Sequence, residues 1–188
     1  MKRLIVGISG ASGVILGIRL VEVLSLSDFE VHLIVSDAAK RTIEMETDWK
    51  IEDVEAMAHL VHNISDIGAP ISSGSFKVMG MVIIPCSMKT LSAITHSFNT
   101  NLLIRAADVI LKERRKLVLV PREMPLHRGH LELMLKVYDS GGIILPPFLT
   151  FYHHPKNVKD MINHLVGKVL DCFDIDNRLF RRWGEGNK

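Results

Sequence analysis

The stretch Leu4-Ile5-Val6-Gly7-Ile8-Ser9-Gly10-Ala11-Ser12-Gly13 constrains the chain more than any other. An apolar run of strand length breaks at small residues. It then resumes at helical spacing through Ile15, Leu16, Ile18, Leu20 and Val21, which predicts a strand, a tight loop and a helix from Val14 to about Leu24. Such a turn suits an anion: glycine permits close main-chain approach, Ser9 and Ser12 offer hydroxyls, and the first helical turn presents unpaired N–H groups at the positive end of its dipole. Gly10, Ala11 and Ser12 are therefore the first expected ligand contacts. The spacing is GxxGxxG rather than GxGxxG and no Gly-Lys-Ser/Thr ending follows, so neither the dinucleotide fingerprint nor the triphosphate loop is met. The bland alternative is an ordinary strand-to-helix turn in which Gly13 and Gly17 allow close packing.

The same grammar recurs along the chain. Val31 to Val35 predicts a second strand, with Ser36-Asp37 capping a helix from Ala38 to about Glu44. Ile51, Val54, Met57, Ala58 and Val61 recur at helical spacing and predict a helix over Ile51 to Val61. Ile71 to Phe76 is a small polar loop, and Met81 to Ile84 a third strand delivering Pro85-Cys86-Ser87-Met88-Lys89-Thr90. Leu102 to Lys112 reads as helix, Leu117 to Val120 as a fourth strand with Pro121-Arg122-Glu123 at its exit, and Leu131 to Val137 as helix. Ile143 to Leu145 reads as a fifth strand, and Val158 to Leu170 as a last helix before a polar exit at Arg181-Arg182-Trp183. Unbroken apolar strands alternating with helices predict an α/β fold, a three-layer open parallel sheet. Ligands of such sheets bind beyond the carboxyl ends of the strands, and Ser12, Ser36, Ser87 to Thr90, Arg122 and Tyr152 all follow strands.

With 188 residues, 47% of them hydrophobic, the chain suits one domain over 1–188, ending in a tail over 175–188. A net charge of +2 gives no global bias towards nucleic acid or membrane, so any anion site is local. Cys86 and Cys172 form neither a metal spacing nor a disulfide framework, which points to a reducing compartment. No apolar run reaches membrane-spanning length, and the stretch after Met1-Lys2-Arg3 is too short for a signal peptide, so the expected location is cytoplasmic. The histidines are scattered and His153-His154 are adjacent, so no metal site is expected. Cys86 reads first as a small buried hydrophobe rather than a nucleophile. Lys112-Glu113-Arg114-Arg115-Lys116 is a solvated run at a helix end, except that Lys112 completes the apolar face and is expected to point inward.

Distinctive segments run through the whole chain: Gly10-Ala11-Ser12-Gly13, Ser36, Glu46-Thr47-Asp48, Ser72-Ser73-Gly74-Ser75, Pro85-Cys86-Ser87, Arg105-Ala106-Ala107-Asp108, Leu111-Lys112-Glu113-Arg114-Arg115, Val120-Pro121-Arg122-Glu123, Phe151-Tyr152-His153 and Arg182-Trp183. In these the chain resembles the UbiX-type flavin prenyltransferase family. The resemblance implies a flavodoxin-like or Rossmann-like sheet that binds FMN. It implies transfer of the dimethylallyl group of dimethylallyl monophosphate to N5 and C6 of the reduced flavin, without a metal. By the same resemblance FMN would meet Gly10, Ala11, Ser12, Ser36, Ser87, Met88, Lys89, Thr90 and Arg122. The donor phosphate would meet Lys112, Arg122, Tyr152 and Lys168. Glu46 and Glu123 would be the acidic catalytic residues, and Ser12 would relay a proton near N5. A neighbouring subunit is expected to help close the site, the resemblance implies a homo-oligomer, a dodecamer, and the prenylated FMN would pass to a UbiD-type decarboxylase.

The chain departs from some relatives in carrying Lys168 in place of Arg, which keeps the charge and loses the bidentate fork. Two other functions fit the same fold. A flavin-dependent decarboxylase of the cysteine-peptide type should show Pro-x-Met-Asn and a catalytic His, and Pro85-Cys86-Ser87-Met88-Lys89 has no Asn at that place. A non-catalytic FMN carrier would leave Lys112, Tyr152 and Lys168 without a ligand.

Overall fold

In the computed structural model, which describes residues 2–184, β1 (Lys2–Ile8) lies inside a six-stranded sheet. Met1 and the last four residues of the expected tail lie outside the described residues. The other strands are β2 (Phe29–Val35), β3 (Leu60–Val61), β4 (Gly80–Cys86), β5 (Lys116–Pro121) and β6 (Ile143–Ile144). All pairs are parallel and the order is β3-β2-β1-β4-β5-β6. This is the doubly wound order, and without the short edge strand β3 it is the flavodoxin order.

The pleat sends alternate residues of β1 to opposite faces. Leu4, Val6 and Ile8 join a core formed with α1 (Val14–Ser25) and α7 (Val158–Cys172), which pack together. Ile5 joins the opposite core, with residues of α4 (Met88–Thr95), α5 (Leu102–Lys112) and α6 (Arg128–Asp139). Both faces are covered, so the strands can be apolar throughout, and all seven residues of β4 are buried.

Three elements differ from the sequence reading. The helix predicted over Ile51 to Val61 ends early, as α3 (Ile51–Ala56), and Leu60–Val61 become β3. Only Val54 of α3 is buried, so little holds a longer helix; instead the His59 N–H donates to Val31 O at 3.1 Å and draws the chain onto the sheet edge. α4, a helix absent from the sequence reading, begins directly after β4, and the Ser87 side chain caps it. The segment after α7 folds back onto that helix: Asn177 Nδ2 donates to Gly167 O and Asp171 Oδ1, and the Arg182 guanidinium donates to both Asp171 oxygens at 2.7 and 2.9 Å.

Candidate active site

Strand order reverses around β1, whose two neighbours are β2 and β4, and the loops leaving β1 and β4 stand side by side. Ser9, 1% exposed, fastens them: its hydroxyl donates to Pro85 O at 2.9 Å and accepts from Ser87 N–H at 2.8 Å. That hydroxyl is thereby used up within the fold, and of the two serines in the opening loop only Ser12 remains for a ligand. Gly13 holds a left-handed φ of 93° at the start of α1. A side chain at Gly10 would collide with the Ala38 methyl of α2 (Asp37–Glu46), so the loop lies directly on that helix.

Three helices begin at this edge. Ser36 caps α2 by accepting from Ala39 N–H at 3.1 Å, and Ser87 caps α4 by accepting from Thr90 N–H at 3.2 Å. Ser87 also donates to Thr90 Oγ1 at 3.0 Å. These bonds consume the N–H groups of the third helical positions, leaving those of Met88 and Lys89 as first-turn donors of α4. Met88 packs its side chain on the core while Lys89 is exposed. α1 has no side chain of its own at its cap. Instead Glu46, at the far end of α2, reaches across and accepts from Gly13 N–H at 2.8 Å, a carboxylate placed at a positive helix end. Arg122 adjoins this edge through its N–H, which donates to Cys86 O at 3.1 Å; its side chain and that of Glu123 are exposed, and Glu123 Oε1 accepts from Met124 N–H. The cradle thus combines helix dipoles, short hydroxyls and one guanidinium, a donor set that fits a flavin phosphate.

Lys112 stands elsewhere. It ends α5 and β5 starts four residues later, so it lies at the amino edge of the sheet, about 20 Å along the strand from Arg122 at ~3.3 Å per residue. The inward orientation expected for it does not occur: it is exposed and its Nζ donates to Glu113 Oε1 at 2.5 Å. The side-chain hydrogen bond from Lys112, then the charges of Lys112 and Arg115, hold the Glu113 carboxyl below its usual range against slight desolvation. The serine loop meets this pair, for a side chain at Gly74 would collide with the Glu113 carboxylate and the Lys112 ammonium. Arg115 fixes the same loop by donating to Phe76 O at 2.7 Å and Gly74 O at 2.6 Å.

Tyr152 belongs to a third group, packed against α7 from the loop before it. Its hydroxyl lies 2.9 Å from His164 Nε2, its ring meets Trp183 edge-on at 5.7 Å, and Lys168 stands one turn beyond His164, 3.3 Å from Asp171. The Arg182 hydrogen bond, aided by Lys168, pulls the Asp171 carboxyl below its usual range against desolvation. Among the described residues no hydrogen bond joins this group to Arg122 or Lys112.

A family model described as Flavoprotein matches residues 1–170. A flavin prenyltransferase UbiX of Thauera aromatica is 59% identical over 181 residues, covering 96% of this chain and 93% of its own. The chain belongs to the UbiX-type flavin prenyltransferases. The solved structure of AnUbiX in complex with FMN and dimethylallyl pyrophosphate superposes with a TM-score of 0.97 at 47% identity, covering 99% of both chains. A dodecameric FMN-dependent UbiX-like decarboxylase from Escherichia coli O157:H7 gives 0.95 at 50% identity, covering 97% of this chain and 99% of that one. A peptidyl-cysteine decarboxylase matches at 18% identity and a TM-score of 0.61, over 80% of this chain and 84% of its own, a likeness of fold alone.

Within this flavin prenyltransferase, one chain brings together Gly10, Ala11, Ser12, Ser36, Ser87, Met88, Lys89, Thr90, Arg122 and Glu46 at the carboxyl edge. It does not bring Lys112 to them, and it gathers Tyr152 and Lys168 around α7. Cys86 is fully buried, and desolvation drives its thiol far above the ordinary range, so it is a packing residue. Ser9, offered by sequence reasoning as a hydroxyl for a ligand, is instead a clamp, and a second residue, His164, which sequence reasoning passed over, holds Tyr152. A histidine among the buried positions Leu165, Val166 and Val169 of a helix was the available signal for the second.

Proposed function

We propose that this chain joins the dimethylallyl group of dimethylallyl monophosphate to N5 and C6 of reduced FMN and releases phosphate. The observation that carries the reading is the cradle at the β1–β4 reversal, where three helix N-termini, Ser12, Ser36, the Ser87–Thr90 pair and Arg122 face one edge. Bound FMN, reduced, supplies a nucleophilic N5. Gly10, Ala11 and Ser12 form one wall of its site, and Ser36, Ser87, Met88, Lys89, Thr90 and Arg122 another. Ser12, whose hydroxyl has no partner within the described chain, relays a proton at N5. Glu46, already at the helix end beside Ser12, and Glu123, beside Arg122, serve as acid and base for the C6 proton and the leaving phosphate.

Breaking an allylic C–O bond places negative charge on phosphate, and Arg122, Lys112, Tyr152 and Lys168 are the groups that answer it. Charge stabilisation by side chains of this kind needs no metal. Because Lys112 and the serine loop occupy the opposite edge of the sheet from the cradle, the complete site is assembled across subunits. A dodecamer, as in the E. coli relative, supports that reading. The 1–188 chain acts as one domain in the cytoplasm, in keeping with the absence of a membrane-crossing helix among the described residues, and passes prenylated FMN to a UbiD-type decarboxylase.

The purified protein, given reduced FMN and dimethylallyl phosphate without oxygen, should yield a flavin heavier by one five-carbon unit. Unchanged flavin mass with intact FMN binding would leave the carrier reading; release of carbon dioxide from a cysteine peptide would support the decarboxylase.

A further inference from the structure

Tyr152 is offered to the donor phosphate only if its hydroxyl proton points outward, and three side chains behind it decide that direction. His164, 4% exposed on α7, uses both ring nitrogens: Nε2 lies 2.9 Å from Tyr152 Oη and Nδ1 lies 3.0 Å from Thr150 Oγ1. Its ring stacks on His153 at 4.7 Å with an interplanar angle of 9° and meets the edge of Phe180. Desolvation, then the nearby His153 and Lys168, lowers its pKa against the pull of Asp171, so the imidazole is neutral near pH 7. A neutral imidazole carries one N–H and one lone pair, and two arrangements follow. If Nδ1 bears the proton it donates to Thr150, Nε2 accepts from Tyr152, and the phenol turns only lone pairs outward. If Nε2 bears it, Tyr152 Oη accepts from His164 and its own proton is free for an anion.

His153 selects the second arrangement. Its Nε2 is buried without a partner, and a buried unpartnered N–H costs more than a buried lone pair, so the His153 proton belongs on Nδ1. That nitrogen lies 3.5 Å from Thr150 Oγ1, the outer limit of a hydrogen bond, and donates to it. Thr150 then donates to His164 Nδ1, and His164 Nε2–H donates to Tyr152.

We infer that His164, oriented by Thr150 and His153, is a positioning residue that aims the Tyr152 hydroxyl proton at the phosphate of the prenyl donor. The inference rests on the assignment of Tyr152 to that phosphate. His164→Phe in the assembled, flavin-loaded protein should raise the KM for dimethylallyl phosphate about tenfold while FMN affinity stays unchanged, as for loss of a hydrogen bond to a charged group. His164→Gln, which can place an amide N–H near Nε2, should recover most of the loss. In a Tyr152→Phe background, His164→Phe should add almost nothing. Thr150→Val, which removes one hydroxyl from a half-buried site, should produce a smaller rise of the same kind and serves if His164→Phe fails to fold. Additive effects of His164→Phe and Tyr152→Phe, or a Gln variant as weak as Phe, would overturn the positioning role alone. An unchanged donor KM in Tyr152→Phe would remove the phosphate assignment and this inference together.

Discussion

At the carboxyl edge of the sheet Ser36 and Ser87 cap the helices they begin and Ser9 ties two strand ends together; at the amino edge Lys112, Glu113 and Arg115 hold one another through long side chains. The first set has few rotatable bonds and draws its fields from main-chain dipoles, so one folded chain presents it ready-made. In the second set Lys112 and Glu113 are exposed and solvent-screened and lose rotamer freedom whenever they are fixed, so their charges gain strength only when another surface covers them. On the proposed reading, the contrast sets a flavin cradle presented by one folded chain against donor-phosphate groups that a second chain would complete.

The largest expected effect strikes where the two kinds of chemistry meet. Glu46 is exposed, but its carboxylate already lies on Gly13 N–H beside the cradle. Glu46→Gln should retain FMN and lose about a hundredfold or more in turnover, the usual range for removing a general acid or base. Single-turnover mass spectrometry at saturating donor reads this directly, and a normal rate with FMN bound would show that Glu46 is only a helix-end anion.

Next in size is the amino edge. Lys112→Ala should lower kcat/KM for the donor by about ten- to a hundredfold, as for loss of a charge-assisted hydrogen bond, with little change in FMN affinity. If the edges meet between subunits, mixing Lys112→Ala protein with a cradle-defective variant should restore part of the activity after subunit exchange, because some hybrid sites then hold both intact halves. Activity no higher than the sum of the two unmixed proteins would remove the proposed assembly across subunits.

The cradle supplies its own defective variant. In Gly10→Ala the new methyl collides with the Ala38 methyl, so the loop must move away from α2, at a cost of about 1–3 kcal/mol in overpacking. FMN affinity should fall, and Ala38→Gly in the same chain should restore part of it. Equal affinity in both variants, measured by flavin fluorescence quenching, would mean that the position of this loop does not govern flavin binding.

These effects also mark what sequence could and could not convey. The strand ends were legible to within two residues because buried parallel strands are apolar throughout and stop abruptly: the end at Val35 matches, while β4 and β5 run past the predicted ends at Ile84 and Val120 to Cys86 and Pro121. β3 was not legible, since Leu60 and Val61 are both exposed and continue the helical spacing of α3, so only their pairing with His32 and Leu33 reveals a strand. Periodicity put Lys112 on the apolar face of α5 but was silent on its rotamer, and there Glu113 wins over the core. The Thr150–His164–Tyr152 contact joins a loop to a helix turn, a spacing that no motif encodes.

The smallest expected effect separates the edges by pH. His32 Nδ1 lies 2.9 Å from His62 Nε2, the two rings stack at 5.2 Å, and Phe76 of the serine-loop segment meets His32 edge-on. Desolvation lowers both pKa values. For His32, Arg3 and His59 add to this and Glu30 opposes it, and for His62, His32 adds and Asp66 opposes. The native state therefore binds fewer protons than the unfolded chain below about pH 6.5, and the stability this pair lends, complete above that value, is lost as pH falls towards the native pKa values. Residues 62–76 should exchange amide hydrogen a few-fold faster at pH 5.5 than at pH 7.5, after correction for intrinsic rates, while residues 9–13 and 87–90 change little. His62→Leu should abolish the difference. If the cradle loops loosen equally, or the Leu variant keeps the pH response, the histidine pair does not pin the serine loop, and the two edges share one stability rather than two.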